Sequence, residues 1–186
     1  NNLFRFRRPA DSAVRYRMAR VGQLQQASGG LSEEEQRRYL QLPVSGNPQA
    51  RELAVSLREQ ASRPADVVEA IRTRFNQQPY RYTLRPPAMP EDGVDALLFE
   101  HLQGFCAHYA GAATFLLRAA GVPARVVAGY QGGESVAGGE YLIVRQYEAH
   151  AWVEVWLPER GWIRFDPTAA IAPERIESGL REAMRE

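Results

Sequence analysis

One segment, residues 106–120, constrains the fold more than any other part of the sequence. It is apolar and rich in alanine, a strong helix former, and the helix-terminating residues Gly121 and Pro123 follow it. On a 3.6-residue period, small or apolar side chains share one face of this helix: Cys106, Ala110, Ala113, Leu117 and Ala120. Because small side chains allow close approach, the pattern predicts a helix packed tightly on a sheet, with Cys106 in its first turn.

Four strand-like runs follow the helix and can supply that sheet. They cover residues 125–130, 141–145, 149–157 and 162–166, and the turn-forming residues between them favour an antiparallel arrangement. Upstream, the sequence predicts three more helices and one short strand: the helices over residues 47–60, 62–75 and 92–102, and the strand over 80–84. The predicted fold class is therefore α+β.

The N-terminal part differs in composition from the rest of the chain. Over residues 1–20, Val14, Tyr16 and Met18 alternate with arginines, which indicates an edge strand with one solvated face. A solvated strand or ordered extension is favoured over a basic arm that binds membrane phosphates or cell-wall polymer. Ser32 then caps a short predicted helix with an acidic first turn. We predict a basic N-terminal extension, a main domain and a helical tail, over residues 1–46, 47–176 and 177–186.

Charge and composition exclude several classes of partner and site. The 186 residues carry 23 basic and 22 acidic side chains, so no overall field favours nucleic acid. The 23 basic residues are all arginines, so the chain offers no lysine side chain to a cross-linking reaction. A single cysteine excludes an internal disulfide and a cysteine-rich metal site. No apolar stretch reaches the roughly 18 residues of a membrane span, and the N-terminus lacks the apolar core of a signal peptide. We therefore expect this fragment to be soluble, although a longer membrane protein could contain it.

Cys106 is the first candidate for chemistry. At a helix N-terminus, free N–H groups and the macrodipole lower the pKa of a thiol and favour the reactive thiolate. The same position would suit a buried structural cysteine, and position alone leaves both interpretations open. His101 precedes the helix and His108 lies about 200° around it from the sulfur, so we interpret both as structural. His150, which shares a strand face with tryptophans, is the candidate partner.

Asp166 can face His150 only if the hairpin between the last two strands has the right register. A four-residue loop would put the two side chains on opposite faces of the sheet. A five-residue loop over residues 157–161 pairs Trp156 with Trp162 and sets Asp166 diagonal to His150 on the same face. Gly161 can supply the left-handed residue that many such loops use.

With this register, three side chains take complementary roles. Cys106 is the nucleophile, His150 holds and returns the proton, and Asp166 fixes the tautomer of the imidazole. Without it, Asp166 is only a turn former in front of Pro167. The sequence therefore predicts a Cys-His-Asp site whose formation depends on one hairpin.

Several blocks of the sequence together resemble the transglutaminase-like superfamily of papain-like folds. They are Gly104-Phe105-Cys106, LRAAGVPAR at residues 117–125, HAWVEV at 150–155, Gly161-Trp162 and Asp166-Pro167-Thr168. The closer likeness is to the membrane-anchored bacterial TgpA-type members. It is carried by YRYTL at residues 80–84 and GYQGG at residues 129–133. The resemblance covers about residues 48–176.

This resemblance implies a periplasmic catalytic domain of an inner-membrane protein, with Cys106, His150 and Asp166 as its triad. The implied core is papain-like, with the catalytic helix packed on the antiparallel sheet. The implied reaction transfers the acyl group of a glutamine-type amide to an amine through a Cys106 thioester, on protein or cell-wall peptide. Two alternatives stay open: a cysteine peptidase or amidase that delivers the thioester to water, and a non-catalytic scaffold that binds peptides.

The resemblance is less specific about the rest of the site. Ala107 stands where an acidic residue is expected, which bears on substrate contacts. Animal members stabilise the oxyanion with an upstream tryptophan, whereas all tryptophans here follow Cys106, so the Cys106 backbone N–H and Tyr82 are the candidates. For Tyr82, the interpretation as a core aromatic residue is favoured over the oxyanion role. Animal members use calcium, but no acids occur here at calcium-loop spacing, so we expect no metal. We also expect no cofactor and a monomeric isolated domain.

Overall fold

The computed structural model describes residues 30–136 and 141–177 of the chain. Its helices are α1 (Glu33–Leu40), α2 (Pro48–Gln60), α3 (Pro64–Gln77), α4 (Gly93–Asp95), α5 (Cys106–Ala119), α6 (Thr168–Ile171) and α7 (Pro173–Glu177). Its strands are β1 (Arg81–Tyr82), β2 (Gln103–Gly104), β3 (Ala124–Tyr130), β4 (Glu134–Ser135), β5 (Leu142–Ile143), β6 (Ala149–Leu157) and β7 (Gly161–Phe165). The predicted strand around Val14 lies outside the described residues, as does the predicted tail beyond residue 177.

The central sheet is antiparallel, in the order β3-β6-β7, and α5 packs on one of its faces. The alternation of β6 decides which side chains meet the helix: Val153 and Val155 are fully buried and Leu157 nearly so. Burial of each such side chain contributes about 1.5–3 kcal/mol. The α5 face predicted to be small and apolar is buried as well. The α+β prediction, with a helix on an antiparallel sheet, is confirmed.

The prediction that residues 141–145 belong to the central sheet is wrong. Within the described residues, only Leu142–Ile143 form a strand there, and it pairs with Glu134–Ser135 in a separate two-stranded hairpin. Leu142 and Ile143 both remain exposed in this hairpin. A short apolar run predicts a strand but does not specify its partner, because the partner depends on tertiary packing.

The predicted helix over residues 92–102 has an unusual end. After α4 the chain widens into a π-helical turn, Ala96–His101, and stops at Leu102, whose φ of 54° is left-handed. β2 follows directly and pairs in parallel with β1, with Tyr82 opposite Gly104. The strand predicted at residues 80–84 is thus shorter than expected, and its pairing places Tyr82 beside the segment from which α5 begins.

Two helix N-termini cap each other. The Asp95 carboxylate accepts hydrogen bonds from the backbone N–H groups of Gln49 (2.9 Å) and Ala50 (2.7 Å) in the first turn of α2. The Asn47 side chain in turn accepts from the N–H groups of Val94 (2.8 Å) and Asp95 (3.1 Å). The exchange satisfies donors that helix starts leave unpaired, and it joins α2 to the segment that leads into α5.

The short helix α1 packs against the outer face of the sheet. Ser32 caps it with a reciprocal hydrogen bond to Glu35, as the sequence predicts. The Tyr39 ring lies edge-on to Trp162, with centroids 4.7 Å apart, and the Arg125 guanidinium stacks on the same indole at 4.2 Å. The predicted boundary between residues 46 and 47 stays a prediction. No helix in the described ranges is long and apolar enough to cross a bilayer.

Candidate active site

Cys106 is the first residue of α5, as predicted. The backbone N–H of Phe105, just before the helix, donates to Nδ1 of His108 (3.3 Å), so His108 helps to start the helix. The structural interpretation of His108 agrees with this contact. Cys106 is 7% exposed and lies against β6, where its sulfur meets the His150 side chain and the Ala151 backbone N–H.

The surroundings of Cys106 favour its thiolate. Burial alone raises the pKa of the thiol, but the neighbouring His150 ring, Ala151 N–H and Tyr82 hydroxyl, together with the imidazolium charge, lower it more. The net shift of the Cys106 pKa is downward. Three groups that can donate a hydrogen bond therefore surround the sulfur, and the Ala151 N–H among them was not predicted from the sequence.

His150 is fully buried and held by one strong contact. Its Nε2 lies 2.8 Å from Asp166 Oδ2. An ionised carboxylate can only accept, so Nε2 carries the hydrogen and the neutral ring keeps its lone pair on Nδ1. Nδ1 is buried and has no hydrogen-bond partner among the described residues. Its lone pair is therefore available for the proton of the neighbouring Cys106.

The pKa of His150 is raised. Burial lowers it, but the hydrogen bonds and negative charges of Asp166 and Cys106 raise it more. The same pair of contacts therefore favours a proton on the ring and removes it from the sulfur. The arrangement supports a thiolate and imidazolium side by side, the form in which a cysteine is most nucleophilic near neutral pH.

Asp166 reaches His150 through the predicted hairpin register. Trp156 pairs with Trp162 and Val153 with Phe165, so the next position of β7 faces the neighbourhood of His150. Gly161 has a φ of 67°, the left-handed conformation that the turn requires. The register and the glycine are both confirmed.

Three donors hold the Asp166 carboxylate. Oδ2 accepts from His150 and from Arg164 Nη2 (2.9 Å), and Oδ1 accepts from the Thr168 backbone N–H (3.1 Å). Burial raises the pKa of Asp166, but the hydrogen bonds and charges of His150 and Arg164 lower it more, so the carboxyl is ionised at neutral pH. Arg164 lies two residues before Asp166 and so on the same face of the strand, but its contact with the carboxylate was not predicted from the sequence.

Trp152 forms a wall beside the imidazole. Its ring stacks near that of His150, with centroids 6.2 Å apart and an interplanar angle of 22°, and the Arg164 guanidinium covers it at 4.5 Å. Gly129 lies opposite His150 in β3, and a Cβ there would meet Trp152 Cη2 at 2.8 Å. A glycine is therefore needed for the indole to lie where it does.

The Tyr82 hydroxyl is a neighbour of both the Cys106 sulfur and the buried Arg175 side chain. Burial raises the pKa of Tyr82 and the nearby Cys106 raises it further, while Arg175 acts in the opposite direction. The phenol thus keeps its proton and can donate it in a hydrogen bond. The sequence contained no signal for Arg175.

The family model of the transglutaminase-like superfamily matches residues 51–167. The chain is 53% identical over 178 residues to a protein-glutamine gamma-glutamyltransferase of Pseudomonas aeruginosa, covering 96% of this chain and 26% of that protein. It is 40% identical over 138 residues to the uncharacterized protein YebA of Bacillus subtilis, covering 70% of this chain and 19% of that protein.

Solved structures agree with these matches. The periplasmic domain of TgpA from Pseudomonas aeruginosa superimposes with a TM-score of 0.81 at 57% identity, over 83% of this chain and 54% of that one. A putative cysteine protease from Cytophaga hutchinsonii, at 21% identity and a TM-score of 0.52 over 77% of this chain and 45% of that one, shares the fold.

The chain spans about a quarter of the length of the Pseudomonas enzyme and about half of the TgpA domain. The family match includes Cys106, His150 and all the strands of the central sheet. The resemblance read from the sequence motifs is confirmed, and the chain belongs to the transglutaminase-like superfamily.

Proposed function

We propose that this chain is the catalytic domain of a cysteine acyltransferase that moves the acyl group of a glutamine side chain from its amide to an amine. One observation carries the proposal. The hydrogen bond from His150 Nε2 to Asp166 leaves Nδ1 as the base for Cys106, whose pKa is already lowered. The similarity to a protein-glutamine gamma-glutamyltransferase supports the same reaction.

In the first half-reaction, the Cys106 thiolate attacks the carboxamide carbon and an S–C bond forms. The carbonyl oxygen becomes an oxyanion, for which the Cys106 backbone N–H and the Tyr82 hydroxyl are the candidate donors. The protonated Nδ1 of His150 then gives its proton to the departing nitrogen. The C–N bond breaks, ammonia leaves and a thioester remains on Cys106.

In the second half-reaction, an amine attacks the thioester carbon. His150 takes a proton from the attacking nitrogen as the new C–N bond forms, and the C–S bond breaks to return the thiolate. Asp166 keeps its hydrogen bond to Nε2 throughout and so keeps Nδ1 as the nitrogen that exchanges protons. No residue is consumed, and each proton removed is returned.

We infer a periplasmic location within a longer inner-membrane protein, because the superimposed TgpA structure is a periplasmic domain. Protein or cell-wall peptide is the proposed donor substrate. The same thioester could pass to water, which would make the chain a peptidase or amidase, and loss of thioester formation would leave a peptide-binding scaffold.

The test uses a blocked glutaminyl peptide and a fluorescent primary amine. The wild-type chain is expected to release ammonia and form the amide conjugate, while Cys106→Ala and His150→Ala form none. The chain has no lysine, so no lysine side chain of the enzyme can compete with an added lysine peptide as the amine. Free glutamate peptide as the sole product would show that the chain is a hydrolase and not a transferase. No product with any glutaminyl donor would favour the peptide-binding scaffold.

A further inference from the structure

Arg175 is the largest fully buried side chain among the described residues, with 0% of its surface exposed. It lies in the short helix α7, and its Nη2 donates to the Ala149 carbonyl (3.3 Å), immediately before His150. Its Nε and Nη1 are buried without a hydrogen-bond partner. A guanidinium is always protonated, so this is a buried positive charge with spare donors.

Burial of such a charge is unfavourable unless a nearby negative charge or acceptor compensates for the lost hydration. Burying a cation without a partner costs several kcal/mol in general, and no carboxylate within the described ranges forms an ion pair with Arg175. Asp166 is already held by His150 and Arg164. The negative charge of a Cys106 thiolate is close by, because Cys106 and Arg175 are both neighbours of the Tyr82 hydroxyl.

Tyr82 links Arg175 to that charge. Its hydroxyl is a neighbour of both the guanidinium and the Cys106 sulfur. Its backbone, in β1, pairs with Gly104 just before α5. A guanidinium has only donors, so of these two neighbours only the Cys106 sulfur can accept the hydrogen of the hydroxyl.

We propose that Arg175 is a positioning residue that holds the Tyr82 hydroxyl as a donor toward the Cys106 sulfur and the oxyanion beside it. This inference rests on the acyl-transfer function proposed above. Arg175 does not touch the reacting atoms; it orients the phenol and makes it a stronger donor, because a cation at the oxygen polarises the O–H bond. The Ala149 contact anchors the guanidinium to the strand that carries His150.

Two reactions of the same sulfur separate this role from a structural one. Acylation by a nitrophenyl ester forms an S–C bond, passes through an oxyanion and releases nitrophenolate. Alkylation by iodoacetamide forms an S–C bond and releases iodide without any oxyanion. Both rates are measured at a pH where alkylation of each variant has reached its plateau, so that the ionisation of Cys106 no longer limits either rate.

Tyr82→Phe is expected to slow acylation about 10- to 100-fold and alkylation less than threefold. Arg175→Met is expected to slow acylation about tenfold and alkylation less than threefold. The double variant should acylate no more slowly than Tyr82→Phe alone, since Arg175 acts through the hydroxyl that this variant lacks. Arg175→Lys, which keeps the charge, should recover part of the loss.

Arg118→Met is the matched control. Arg118 also bonds backbone carbonyls, those of Ala124 (2.9 Å) and Gln41 (2.8 Å), but near the far end of α5, about 18 Å along the helix from Cys106. Its loss should lower the melting temperature and leave both rates within twofold of wild type. If Arg175→Met does not fold, Arg175→Lys and Arg175→Gln enter the same cycle with Tyr82→Phe.

Additive losses in the double variant would overturn the proposal, and so would an Arg175 variant that slows both reactions equally. Either result would make Arg175 a structural anchor of α7 on β6. Failure of the proposed function would look different. A scaffold would resist acylation by the ester at every pH even as the wild-type chain, and a hydrolase would give only the free acid in the glutaminyl-peptide assay.

Discussion

Arg164 Nη2 lies 2.9 Å from Asp166 Oδ2, the same oxygen that accepts the hydrogen bond from His150. One carboxylate oxygen thus serves a permanent cation and a titrating ring. Arg164 keeps Asp166 ionised as the pH falls, and an ionised Asp166 keeps the hydrogen of His150 on Nε2. The side chain of Arg164 is 46% exposed, so solvent and salt weaken its effect.

Replacing Arg164 should therefore change the acid side of the pH profile. Arg164→Met removes a charge that lowers the pKa of Asp166, so that pKa rises and the carboxylate protonates at a higher pH. We expect the acid limb of the acylation rate to move to higher pH, with the plateau lowered about two- to fivefold. Arg160→Met, in the exposed β6–β7 turn, is the control. An unchanged acid limb would mean that Arg164 matters only for stacking on Trp152.

The reactivity of Cys106 should report its lowered pKa. The rate of alkylation by iodoacetamide is expected to rise through a midpoint below about 8.5, the ordinary value for a cysteine. His150→Ala removes a neighbouring donor and a charge that stabilise the thiolate, so the midpoint should move up and the rate at pH 7 should fall about tenfold. His101→Ala should match the wild type. A midpoint indifferent to His150 would contradict the proposed pair.

Gly129→Ala should damage the site without contact with the sulfur. The new Cβ would meet Trp152 Cη2 at 2.8 Å, so the indole must shift, and His150 lies against it. We expect acylation to slow about tenfold, as for a small misplacement of a catalytic group, with a blue or red shift in tryptophan emission. Gly111→Ala on α5, where a Cβ would meet nothing within 4 Å, is the control. Equal rates for the two variants would show that Trp152 does not position His150.

Asp95→Ala should lower stability rather than reactivity. It leaves two N–H groups at the start of α2 without their acceptor, each bonded at present to a buried carboxylate. We expect the free energy of unfolding to fall by about 3 kcal/mol, which corresponds to a melting temperature lower by roughly 6–12 °C. Denaturant titration measures the first and calorimetry the second. Glu52→Ala, exposed on α2, should change the free energy of unfolding by less than about 0.5 kcal/mol.

The parts of the site that the sequence predicted well follow local rules. The 3.6-residue period put Cys106 and the small side chains on one face of α5, and two-residue alternation with the Gly161 turn set Asp166 on the side of His150. These patterns depend on residues close together in the chain. Each was therefore readable before any tertiary contact was known.

The parts that were missed depend on contacts between distant segments. Leu142 and Ile143 have strand character, but their pairing with β4 follows from packing rather than composition. Arg175 is an arginine in a short polar helix, where every local rule predicts an exposed side chain. Its burial depends on the contact of α7 with the start of β6, which no periodicity encodes.

The helix–sheet interface divides the site between two segments of the chain. Cys106 and Tyr82 precede the sheet, while His150, Asp166 and Arg175 belong to it or follow it. During synthesis the sulfur therefore emerges before its base, with the acidity of an unassisted thiol. The assisted thiol therefore exists only where both segments are docked, because neither segment carries both the sulfur and its base.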